Sequence, residues 1–137
     1  MQMSPLIAVH LSAALGAVAI GPVALWSRLG HAQRTRLHRA FGYAWVTLML
    51  VTATSALFIR DDGPPNIAGY TPIHLLVPVT YVSIFLGLRF MLRGNLIAHR
   101  YTMIFTYVGA CLVAGAFTLL PGRYLGQLVW GRWLGWL

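Results

Sequence analysis

The chain has 137 residues, of which 58% are hydrophobic and 9% charged, at a mean hydropathy of +0.72. A soluble domain of this length needs a far more polar surface, so lipid is the expected solvent for most of it. The net charge of +8 comes entirely from arginine; basic residues set between apolar runs read as topology signals, and no nucleic-acid partner is expected.

Residues 5–26 form the first of four apolar segments, followed by 37–59, 71–92 and 96–120. Each has the ~20 residues that a helix needs to cross a bilayer core. Helix is the expected state, because lipid offers no partner to open backbone groups. No basic residue precedes the first run, so it reads as a span and not as a cleavable signal. The first connection, "SRLGHAQRTR", carries Arg28, Arg34 and Arg36, with Arg39 just beyond. The second, "RDDGPPNIAGY", holds the chain's only carboxylates, Asp61 and Asp62, and reads as a turn. Two adjacent carboxylates are too few to argue a hard-cation site. Arg89, Arg93 and Arg100 flank the third connection. The positive-inside rule then places the first and third connections in the cytoplasm and both termini outside, in a bacterial cytoplasmic membrane. The tail, 122–137, spaces Trp130, Trp133 and Trp136 three apart and reads as a short interfacial helix. The expected fold is a single all-α integral membrane domain, a four-helix up-down bundle with that tail.

Cys111 is the one cysteine, so neither an intrachain disulfide nor a cysteine cluster is available; it reads as a small packed residue. Of five histidines, His31 sits in the polar first connection. His10, His38, His74 and His99 fall one per span, each near that span's N-terminal end. Alternating direction puts His10 and His74 near the outer face and His38 and His99 near the inner face, on diagonal helices in each case. Two imidazoles facing across a bundle axis can hold a haem iron from both sides. The two pairs lie roughly 20 Å or more apart, which excludes a single four-histidine centre. The "HL" at His10 and His74 and the "HR" at His38 and His99 suggest a weak repeat of a helical hairpin. Arg39 and Arg100, next to the inner histidines, suit haem propionates through their forked guanidinium, and equally suit phospholipid headgroups. Small residues such as Ala13, Gly16, Gly42, Gly109 and Gly115 make room for a macrocycle or for close helix packing.

The pattern of His10, His38, His74 and His99 resembles the cytochrome b561 superfamily, across all four spans but without extended sequence likeness. The segments "HRAFGYAWV", "YTPIHLL" and "AHRYTMIFTYVGACLVAGAFTLLPGR" also resemble a family of small bacterial four-helix membrane proteins of unknown function. The first resemblance implies two b-type haems, the outer between His10 and His74 and the inner between His38 and His99. It further implies transmembrane electron transfer between a small-molecule or quinone donor and acceptor, as in an oxidoreductase acting on quinol, ferric or superoxide-derived species. Protons, if they move, do so at the surface through Asp61, Asp62 or Tyr70. Tyr43, Trp45, Tyr81 and Tyr107 can border a quinone or simply line the bundle. The alternatives are a copper- or zinc-binding bundle, for which paired imidazoles are under-filled sites, and a noncatalytic membrane subunit. A homodimer is compatible with the sequence. No catalytic residue emerges, since no span contains a carboxylate.

Overall fold

The structure is a computed structural model that describes residues 4–29, 34–60 and 66–136. Four long helices dominate it: α1 (Pro5–Trp26), α2 (Thr35–Phe58), α3 (Pro72–Leu92) and α4 (Leu96–Thr118), with mean hydropathies between 1.5 and 2.0. His31, Asp61 and Asp62 lie outside the described residues, as does most of the "DDGPPN" turn.

Local chemistry sets the helix starts. Ser4 caps α1, its Oγ accepting from the Ile7 N–H at 3.3 Å, and Pro5 occupies the first helical position, where a missing N–H costs nothing. Asn95 caps α4 through Oδ1, which accepts from the Ala98 N–H at 3.1 Å. The first turn of α3, Pro72–Leu75, is a 3-10 turn before the α-helix begins at Leu76.

Short connections force antiparallel neighbours. α1 packs on α2, α2 on α3 and α3 on α4, and the middle of α4 closes the ring against α1. The diagonals are therefore α1 with α3 and α2 with α4. The core between them holds Ala17, Trp45, Met49, Ile84, Met103, Tyr107 and Cys111. Cys111 is buried, its thiol 3.5 Å from the Met49 sulfur. Large side chains such as Leu15, Val82, Phe85 and Phe105 face outward, where lipid solvates them.

Two departures from a plain α-helix have physical causes. Pro22 lies inside α1 and has no N–H to give, which leaves the Val18 carbonyl without its intrahelical donor. The Tyr107 hydroxyl supplies one, donating to Val18 O at 3.0 Å. In lipid such a carbonyl has no water to turn to, so this bond ties α4 to α1 at mid-span. Opposite it, residues Tyr107–Val113 form a π-helical stretch within α4. The buried positions Met103, Tyr107 and Cys111 recur every four residues. An α-helix would rotate them off the core face, and a wider turn keeps them there.

The tail forms the short C-terminal helix expected, most of it wider than an α-helix. A short turn, Tyr124–Gly126, runs into a π-helical stretch, Gln127–Trp133, folded back on the end of α4. The Trp130 indole N–H donates to Leu119 O at 2.7 Å, and its ring stacks on Trp136 with centroids 5.5 Å apart. The last carbonyls of α4 need outside donors, and the tail provides one. Gly126 is required at the fold, because a Cβ there would overlap the Leu120 carbonyl.

Candidate cofactor-binding site

The diagonal α2–α4 brings His38 and His99 together. Their ring centroids are 6.4 Å apart and the ring planes are perpendicular, at 86°. Each ring is held the same way. His38 Nδ1 bonds the Ala24 carbonyl at 2.8 Å, and His99 Nδ1 bonds the Gly87 carbonyl at 2.8 Å. Both carbonyls lie near the C-terminal end of the preceding helix, so the two hairpins repeat one device. A carbonyl only accepts, so each Nδ1 carries a proton, and in the neutral ring Nε2 is the nitrogen with the lone pair. This is the tautomer that a metal-bound imidazole takes, with the second nitrogen fixed by a backbone acceptor.

The separation fits a shared ion. An imidazole nitrogen binds a metal at about 2.0–2.1 Å, which puts the centres of two opposed imidazoles roughly 6 Å apart. A Cβ on Gly87 would come within 2.6 Å of the methyl at the flexible end of Met103. Gly42, one turn beyond His38 on the same helix face, has open space where a Cβ would point. Arg39 and Arg100 are both exposed beside the pair.

His10 and His74 lie at the opposite end and are built differently. His10 Nδ1 is 3.0 Å from both Thr52 O and Ser55 Oγ. Ser55 donates its own proton to Val51 O at 2.7 Å, so His10 is the donor in this cluster and its Nε2 keeps a lone pair. His74 has none to spare. Its Nδ1 accepts from the Thr71 N–H at 3.1 Å, which puts the proton on Nε2, and Nε2 donates to Ile59 O at 3.0 Å. His74 thus completes a capping box with Thr71 and ties the start of α3 to the end of α2. The anchors Thr52 and Ile59 lie about 10 Å apart along α2, so the outer rings are held at different levels. In this arrangement each inner ring is held through Nδ1 by a backbone carbonyl, whereas both ring nitrogens of His74 are engaged.

The remaining aromatic residues separate into two groups. Trp45 and Tyr107 pack together in the core, with ring centroids 6.4 Å apart. Tyr43 is exposed, and Tyr81 sits on the outer surface bonded to the Thr54 hydroxyl. These four do not border one common space. The Trp45 indole N–H is buried and has no hydrogen-bond partner among the described residues. Tyr70 stacks edge-on against His74 at 5.1 Å and carries the Arg60 guanidinium on its face at 4.0 Å. Among the described residues no three His, Cys, Asp or Glu side chains come together, so a filled tetrahedral zinc centre has no ligand set there.

Thr71, Thr52, Ser55 and the two anchoring carbonyls were not evident as site residues in the sequence. One signal was available: "TPIH" has the spacing of a capping box, with histidine where glutamate or glutamine usually stands. It assigns His74 a structural role. Alanine at His74 removes that cap and the link to Ile59. The expected cost is about 1–2 kcal/mol of stability, read as a lower melting temperature in detergent, with the His38–His99 pair intact.

The fold and these residues define a polytopic four-helix membrane protein with two unequal histidine pairs, in a lipid bilayer environment. Residues 7–124 match the model of a family described as predicted membrane protein, DUF2306, and the chain belongs to that family. No curated protein and no solved structure matches the chain. The likeness to cytochrome b561 proteins therefore rests on the histidine pattern alone.

Proposed function

We propose that this protein is a b-type membrane cytochrome that holds haem between His38 and His99 and exchanges electrons at the arginine-rich end of the bundle. The observation that carries the reading is the inner pair: two perpendicular imidazoles, 6.4 Å apart, each with Nδ1 tied to a backbone carbonyl. Bound haem supplies a one-electron couple whose potential follows its axial ligands and surroundings. The chain's part is to fix the ligands. The Ala24 and Gly87 carbonyls fix the orientation and tautomer of each neutral ring. The apolar helices exclude water. Arg39 and Arg100 offer guanidinium forks to propionates at the membrane surface.

The two-haem form of this reading needs His74 to release either Thr71 or Ile59, because both its nitrogens are engaged. His10 needs no such change. One haem per chain is the state that this geometry supports best. The electron donor and acceptor belong to the small-molecule or quinone class, and the location is a bacterial cytoplasmic membrane with both termini outside. The test is an absorption spectrum of the detergent-purified protein before and after dithionite. A low-spin b-type spectrum is expected. A protein that stays colourless when haem is supplied during expression would end the cytochrome reading.

A further inference from the structure

We propose that the arginine-rich end of the bundle is a docking surface for anionic phospholipid, gripped through its phosphate by Arg36, Arg89 and Arg93. The inference uses no residue of the histidine site. Arg36 lies in the first turn of α2, Arg89 in the last turn of α3, and Arg93 directly after it. All three are exposed. The sequence's side-chain carboxylates, Asp61 and Asp62, belong to the connection between α2 and α3 and lie outside the described residues. The described residues therefore offer the three guanidiniums no side-chain carboxylate.

Lipid, more than an acidic protein, matches what surrounds them. The α3–α4 connection is three residues, 93–95, so the charges sit at the ends of spanning helices, at headgroup depth. Leu92 is 83% exposed and Ile97 72% exposed beside them. A surface that alternates bare aliphatic side chains with guanidinium groups suits acyl chains and phosphates together. On the neighbouring connection, Arg34 lies over the Trp26 ring at 5.4 Å, an aromatic residue at a helix end where interfacial anchors belong. Arginine in place of lysine at all these positions favours two-point phosphate contact.

The experiment measures the melting temperature and the retained lipid of the purified protein in neutral detergent. The probes are phosphatidylglycerol, phosphatidylcholine, inorganic phosphate and poly-glutamate. Phosphatidylglycerol is expected to bind and stabilise, less so at high salt, and phosphatidylcholine to do neither. Each of Arg36→Gln, Arg89→Gln and Arg93→Gln is expected to weaken phosphatidylglycerol binding by roughly fivefold. The triple lysine variant keeps the charge that sets topology and is expected to bind more weakly than the parent. Equal response to the two lipids would overturn the proposal. So would poly-glutamate or phosphate alone matching phosphatidylglycerol, which would assign the surface to an acidic partner or a free anion. Unchanged binding in the lysine variant would refute the two-point contact. Should a glutamine variant fail to fold, the comparison of lipids on the parent protein still decides.

Discussion

If the protein binds haem as proposed, alanine at His38 or His99 is expected to strip it. Each change leaves one imidazole of a pair whose ring centroids are 6.4 Å apart. Altering a residue that merely orients a metal ligand weakens binding by about 10–100-fold, and losing the ligand itself exceeds that. The purified variants should be nearly colourless, or show a weak spectrum without the low-spin form. The same substitution at His10 or His74 should leave the inner haem in place. It removes bonds to Thr52, Ser55, Thr71 and Ile59, all at the other end of the bundle. Stability and haem content therefore move independently at the two ends. Equal haem loss in all four variants would show instead that the pairs are equivalent, as two haems require.

Alanine at Gly21 is expected to damage the fold more than a methyl added at any other glycine of the four spanning helices. A Cβ there would lie 2.5 Å from a Tyr107 ring carbon and 3.1 Å from the Trp45 indole nitrogen. Neither ring can retreat easily. Tyr107 is pinned by its bond to Val18 O, the carbonyl that Pro22 leaves open. Trp45 is buried in the central cluster. Overpacking of this kind costs about 1–3 kcal/mol, plus about 1 kcal/mol if the Tyr107 hydrogen bond breaks. Gly16 is the control. Its Cβ would meet only the end of the Leu48 side chain, at 3.0 Å, which can swing aside. Gly16→Ala should be neutral or slightly stabilising, since alanine lowers the entropy cost of the helix. Melting temperatures of the two variants, measured side by side in one detergent, make the comparison.

The four spans were legible because length and apolarity alone decide them in lipid. α1 runs Pro5–Trp26 as its composition implies, and α2 differs from the expected 37–59 by only a residue or two at either end. The meeting of His38 and His99 was legible too, since helix direction and chain order put them on one diagonal at one depth. What was not legible depends on atoms far apart in sequence. Nothing near His38 marks the Ala24 carbonyl as its partner, and nothing near Pro22 marks Tyr107, 85 positions later, as the donor it makes necessary. The π-helical stretch in α4 is likewise a packing outcome. Its residues carry no distinctive local preference; the four-residue recurrence of Met103, Tyr107 and Cys111 emerges only once the core is known. His74 is the instructive case. Depth and helix position made it look like the twin of His10, whereas its own neighbours, Thr71 and Pro72, made it a cap. Its local hydrogen bonds engage both ring nitrogens, a competition that helix position alone does not display.

The most direct measurement is the haem-to-chain ratio of the purified protein after saturation with haem, for the parent and for the His38→Ala variant. The account predicts one haem per chain in the parent and close to none in the variant. A parent ratio of zero, or a variant that keeps its full complement, would contradict it.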